Sequence, residues 1–218
     1  ENYLLMWQLQ LQFFAMKSSD KKIKNNPQAD SRILRIFLEA GLLKRIKRSG
    51  WWVVGINNPE SVAEHSFRTA VIGYFLAKKE KADSHLVLLM TLFGDFHEAR
   101  INDLHKMGQR YIDFSAAENK VFDEQIKGLP KDIYLELKNL REDLVKQLSQ
   151  EAIIARDADI LECLLQAKEY YEQGEKLAGN FFKKAPLHLK TKSAKIFWQQ
   201  IKNCAIDEWW MELSEFKR

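Results

Sequence analysis

Four short runs of the sequence gather side chains able to hold a metal ion or move a proton. The first carries Glu64, His65 and Arg68, and the second Asp95, His97, Glu98 and Arg100. The third carries Asp103 and His105, and the fourth Arg156, Asp157, Asp159 and Glu162. The second run is the most telling, because the apolar stretch Leu86–Phe93 leads straight into an Asp, a His and a Glu. Carboxylates buried beside such a stretch are costly unless a metal or a cationic partner compensates them. On a helix Asp95 and Glu98, at i and i+3, share one face. One could bind a metal while the other handles a water. Singly, these residues have plainer readings. His65 reads as a hydrogen-bonded structural histidine, Glu64, Arg68 and Arg100 as ordinary surface or ion-pair residues, and His105 as solvated beside Lys106. His85 and His188 have no acidic neighbours that suggest a site.

The elements that must position these groups are helices. Pro is scarce, and Leu, Ala, Glu and Lys dominate long stretches. From Ser31 to Leu42 apolar residues recur at helical spacing. Trp51-Trp52-Val53-Val54 reads as extended. Ser61 with Glu64 forms a capping box that opens a helix through about Lys79. Asp83 or Ser84 caps the next, which runs through Leu86–Phe93 into Asp95–Arg100. Further helices fit Ser115–Lys127, Asp132–Leu148, Gln150–Gln173 and Thr191–Phe216. With no sustained strand alternation and no internal repeat, the expected fold is an all-α globule of about seven or eight helices. The expected division is residues 1–30, an N-terminal helical extension with a polar linker, and residues 31–218, the main domain.

Read in order, the runs resemble the HD-domain metal-dependent phosphohydrolases, in particular the branch that includes 5′-deoxynucleotidases. The resemblance spans roughly Ser31 to Trp210 and is strongest in "RSGWWVVGINNPESVAEHSFRTA", "LFGDFHEARINDL" and "RDADILECLLQAKEY". It implies a divalent metal held by a His, a His-Asp pair and a distal Asp. These match His65, the Asp of the pair at Asp95, and Asp159. It also implies that Glu98 acts on the attacking water and that Asp103 orients the sugar or leaving group, or serves as the acid. Arg48 and Trp51 would contact phosphate and sugar. The plainer alternative makes Trp52 core and Trp51 a surface wedge. One departure stands out: the His of the pair is Gly94 here. His97, about 60° away around a helix, could compensate. The ligand types suit Mn²⁺, Co²⁺, Fe²⁺, Ni²⁺ or Zn²⁺, with Mg²⁺ possible. The expected substrate is a small nucleotide, chiefly a deoxyribonucleoside 5′-monophosphate, and the expected assembly is a homodimer to which Trp198, Trp209 and Trp210 could contribute. A degenerate protein that binds a nucleotide or a protein without turnover is the alternative, supported by Gly94.

Composition narrows the field further. The 218 residues carry 34 basic and 30 acidic side chains, a net charge of +4. That surplus permits acidic ligands but does not call for a nucleic-acid groove. Cys163 and Cys204 match no metal or disulfide spacing, which suggests a reducing, cytoplasmic compartment. The most apolar stretch, Tyr3–Met16, is broken by three glutamines and is too short to span a membrane. No P-loop, Rossmann glycine pattern or cysteine nucleophile competes for the catalytic role.

Overall fold

The computed structural model describes residues 27–214. The first helix, α1 (Pro27–Leu42), begins four residues before the expected Ser31. Proline suits that position because its missing N–H would have no partner in a first turn. The expected Tyr3–Met16 helix lies outside the described residues. A 3₁₀ helix (Ser49–Val54) follows, then α2 (Val62–Glu80) and α3 (Ser84–Phe93). Next come α4 (Glu98–Ile101), α5 (Lys106–Gln109), α6 (Phe114–Ile126) and α7 (Lys131–Lys146). The chain then forms α8 (Gln150–Glu172), a 3₁₀ turn (Lys176–Asn180), α9 (Phe181–Lys184) and a second 3₁₀ turn (Ala185–His188). It closes with α10 (Lys192–Asn203) and α11 (Glu208–Ser214). The expected all-α architecture holds. The described residues form no strand, only an isolated bridge between Lys47 and Ser61. No described helix is long and apolar enough to cross a membrane.

Helix α8 is the axle. Its N-cap Ser149 accepts from the Ala152 N–H at 3.0 Å. It buries residues on nearly all sides, from Ala152 to Tyr170, and packs on α2, α3, α7 and α10. Fully enclosed Leu76, Ile154, Leu161 and Leu164 build the centre, and each contributes ~1.5–3 kcal/mol of apolar burial. Helix α2 lies close to this centre because Gly73 carries no side chain. A Cβ there would sit 2.9 Å from Val87 Cγ1, 3.3 Å from Thr91 Cγ2 and 3.5 Å from Ala158 Cβ.

Three expectations are corrected. Trp51–Val54 is part of a 3₁₀ helix rather than extended. The helix expected through Arg100 stops at Phe93, and the chain turns through residues 94–97 before α4. The helix expected from Thr191 to Phe216 breaks after Asn203, where Cys204 adopts an extended conformation. The aromatic residues near the C-terminus divide accordingly: Trp198 is buried, while Trp209 and Trp210 are exposed.

Candidate active site

The capping box at the start of α2 forms as the local sequence requires. Ser61 Oγ accepts from the Glu64 N–H at 3.2 Å, and Glu64 Oε2 accepts from the Ser61 N–H at 2.6 Å. It fixes where α2 begins and so where His65 points. Just upstream, the Arg48 N–H donates to the Glu60 carbonyl and the Val62 N–H to the Ile46 carbonyl. This lacing brings Arg48 beside His65.

His65 is buried, and its two ring nitrogens have different partners. Nδ1 makes a very short contact with Glu162 Oε2. Glu162, fully enclosed in α8, also accepts from Arg68 Nε at 3.0 Å and Nη2 at 2.8 Å. Arg68 is itself tied to Glu169 at 2.6 Å and Gln166 at 2.7 Å. A carboxylate on one ring nitrogen orients the other, the usual support of a metal-binding imidazole. Nε2 lies 3.1 Å from Asp159 Oδ1 and 3.5 Å from Asp95 Oδ2. Arg48 spans the same two carboxylates, with Nη1 3.5 Å from Asp95 and Nη2 3.9 Å from Asp159. Arg156 pairs closely with the other oxygen of Asp159.

The charges follow from these contacts. Burial and Arg48 disfavour an imidazolium at His65, yet Asp159 and Glu162 outweigh them and raise its pKa to about 10. Burial would raise the Asp159 pKa, but Arg156, His65 and Arg48 hold it well below the usual carboxylate range. Glu98 is pushed well above that range by burial, Asp95 and Asp103, against the pull of Arg48 and His65. Its Oε2 has no hydrogen-bond partner.

Asp95 and Glu98 stay on one side despite the loss of the expected helix. The turn is closed by i to i−3 bonds, including the Glu98 N–H to the Asp95 carbonyl at 3.0 Å. In 3₁₀ geometry residues three apart eclipse one another. Asp103 is anchored through Oδ2 to the Ser49 N–H at 2.5 Å. It lines, with Arg48, Trp51, Asp95, Glu98 and Asp159, a cleft of about 490 Å³, within the range of small-molecule sites. The fold therefore brings all seven expected site residues to one place.

Trp51 and Trp52 reverse the plainer alternative. Trp51 is 3% exposed and Trp52 is 53% exposed. The Trp51 Nε1–H donates to Glu60 Oε1 at 3.0 Å, and its ring packs between Tyr170 and Phe181. Gly94 is also explained locally. A Cβ there would meet the Met90 carbonyl at 2.9 Å, and its own carbonyl accepts from Arg141 Nη1 at 2.8 Å. His97 lines a second cavity of about 290 Å³, shared with His65, Asp95 and Asp159. Its Nε2 is 3.2 Å from Glu118 Oε1 but off the line of a hydrogen bond, so neither ring nitrogen has a hydrogen-bond partner.

The donor set fits a divalent cation: one oriented imidazole nitrogen facing two carboxylates, with a further buried carboxylate oxygen unpartnered beside them. A tighter group, Glu60, His65 and Glu162, has possible ligand atoms all within 4.8 Å. Both Glu162 oxygens are already taken by Arg68 and His65, and Glu60 Oε1 is taken by Trp51. Burial and Glu162 raise the Glu60 pKa to about 7. This group reads as support for His65, while the Nε2 side is the better cation seat. Arg68 is the ion-pair residue its sequence context suggests, whereas Glu162 has no role legible in the sequence by itself. The signal was there in Glu162, Gln166 and Glu169, which recur at i, i+4 and i+7 and meet one arginine.

Comparison with known proteins identifies the family. The HD domain family matches residues 40–202. The 5′-deoxynucleotidase HDDC2 of Dictyostelium discoideum is 30% identical over 156 residues, covering 67% of this chain and 82% of its own. The protein of that name from Homo sapiens is 29% identical over 139 residues, covering 63% and 68%. A solved structure, a conserved hypothetical protein from Pyrococcus furiosus, matches with a TM-score of 0.65 and 33% identity, over 78% of this chain and 99% of its own. With three quarters of its length matched by the family, this chain belongs to the HD-domain family of metal-dependent phosphohydrolases.

Proposed function

We propose that the chain hydrolyses nucleoside 5′-monophosphates, chiefly deoxyribonucleotides, to nucleoside and phosphate. The observation that carries this reading is the meeting of His65 Nε2, Asp95 and Asp159 beside Arg48 and the buried Glu98. His65, Asp95 and Asp159 would hold the metal, which would supply Lewis-acid chemistry for the phosphoryl oxygens and acidify water. The Arg48 guanidinium grips the phosphate, a task suited to its planar fork. Glu98, with one oxygen free of protein partners, takes the proton of the attacking water and aims it at phosphorus. Asp103, fixed by the Ser49 N–H, holds the sugar. Trp51 shapes the sugar side from within the wall. Residues 31–218 form the catalytic domain in this reading, residues 1–30 an appended segment, and the working unit is a cytoplasmic homodimer. The exposed Phe67, Val71 and Phe75 of α2 offer apolar surface for pairing.

The test is phosphate release from a panel of ribo- and deoxyribonucleotides. Metal is stripped and restored singly as Mn²⁺, Co²⁺, Fe²⁺, Ni²⁺, Zn²⁺ or Mg²⁺. Activity should depend on metal and favour deoxyribonucleotides, and Asp159→Ala should lose bound metal by elemental analysis. A folded wild type that binds nucleotide but releases no phosphate with any of the six ions is a binder, the outcome Gly94 would favour.

A further inference from the structure

The cleft is lined by two unlike sets of residues. One is charged and holds the groups assigned above. The other comprises Trp51, Ile160, Cys163, Phe181, Ala185 and His188, none of them suited to phosphate chemistry except the exposed His188. Burial pushes the Cys163 thiol upward in pKa, so it stays protonated and adds to the apolar wall. The aromatic residues there are ordered from the inside out. Tyr170 points its hydroxyl into the fold, where the oxygen accepts from the Glu60 N–H at 2.8 Å, and its ring meets Trp51 edge-on at 5.2 Å. Trp51 is locked by Glu60 and packs on Phe181 at 4.6 Å with the planes 42° apart. Phe181 is half-buried, the last ring of the series, and it borders the cleft. Its neighbour Phe182 turns the other way, toward Trp198 in the core. Sequence reading assigned the aromatic contact to Trp51, but Trp51 is almost wholly enclosed and has little face to give.

We propose that Phe181, braced by Trp51, is the platform on which the base of a nucleoside 5′-monophosphate stacks, so that the 176–188 segment separates nucleotides from simple sugar phosphates. Arg48 fixes the phosphate, and the apolar lining of the same cleft takes the part of the nucleotide with a flat π-face. Stacking accepts every base, because each has such a face. The platform therefore selects for having a base, with little choice among bases.

This inference rests on the phosphohydrolase reading, and the experiment separates the two. The metal-loaded wild type, Phe181→Ala and Phe181→Tyr are compared on dAMP, dCMP and 2-deoxyribose 5-phosphate. Loss of a stacking ring is expected to raise the nucleotide KM in Phe181→Ala by roughly 5- to 150-fold, with kcat held. The KM for the sugar phosphate, which has no base, should move by less than about twofold, and Phe181→Tyr should restore nucleotide KM. An equal rise for nucleotides and sugar phosphate, or no rise for either, overturns the platform. If the wild type turns over no substrate, the phosphohydrolase reading fails. The platform is then judged by calorimetry with deoxyadenosine, where wild-type binding that is weakened in Phe181→Ala and kept in Phe181→Tyr supports it, and any other pattern overturns it.

Discussion

The two sides of the cleft contrast in how completely their polar groups are partnered. On the α2 and α8 side, His65, Glu162, Arg68 and Glu169 form a closed chain in which each group has its partner. On the 94–98 turn, one Glu98 oxygen and both His97 nitrogens make no hydrogen bond, although both side chains are buried. A closed network is rigid and orients; an open one has capacity left for a ligand. A second contrast, of direction rather than partnering, divides two carboxylates of one helix. Asp157 and Asp159 are two residues apart in α8. Asp157 is enclosed and accepts from the Lys190 and Thr191 N–H groups and from Thr191 Oγ1, fixing the start of α10. Asp159 faces the cleft.

Substitutions can break this contrast at graded strength. The largest effect is expected at Glu98 on the open side. Glu98→Gln keeps the shape and removes the proposed base, so kcat should fall ~10²–10⁴-fold, with metal content unchanged on the same preparation. Full activity would assign the water to another group. Next is Asp157→Ala, which strands buried donors and should cost roughly 2–4 kcal/mol in chemical denaturation, while folded protein keeps its metal affinity. A loss of metal without a loss of stability would place Asp157 among the metal-holding residues. Glu162→Gln loosens the imidazole rather than removing a ligand, and a chelator titration should show metal affinity 10–100-fold weaker, roughly the effect of losing such an orienting partner. The smallest effect is expected at Gly94. A Cβ there meets the Met90 carbonyl at 2.9 Å, so Gly94→Ala should lose about 1 kcal/mol rather than gain it. Gly94→His carries the same Cβ and has to shift the turn before its ring can reach a metal. A Gly94→Ala protein as stable as wild type would show that the turn has room for it.

What the sequence disclosed was largely local. The Ser61–Glu64 capping box, the Asp83 cap and the limits of α6, α7 and α8 depend on neighbours a few residues away, and they formed within two residues of expectation. The ordered ionisable runs were legible for a related reason, since burying such groups beside apolar stretches is unfavourable without a purpose. What was hidden depended on distant partners. The burial of Trp51 and exposure of Trp52 are decided by Tyr170 and Phe181, more than a hundred positions on. Glu162 looked like one more acidic residue until α2 brought His65 and Arg68 against it. The turn at 94–97 was hidden because Phe93 to Arg100 has no proline and satisfies a helical pattern. Only its packing, with Gln125 Nε2 donating to the Phe96 carbonyl at 3.1 Å, shows why it bends.

Gly73 has a consequence of another kind. It lies eight residues, a little over two turns, below His65 on the same helix, and touches no ligand. Its bare backbone lets α2 rest against Val87, Thr91 and Ala158, and Ala158 is the residue before Asp159. A side chain there presses first on Val87 and Thr91 of α3, at 2.9 and 3.3 Å, and so shifts His65 on α2 relative to Asp95, which the chain carries just beyond α3. In a survey of inactivating substitutions, position 73 would score with the catalytic residues while belonging to the scaffold. The active site thus presents a larger target to mutation than the list of its reactive groups.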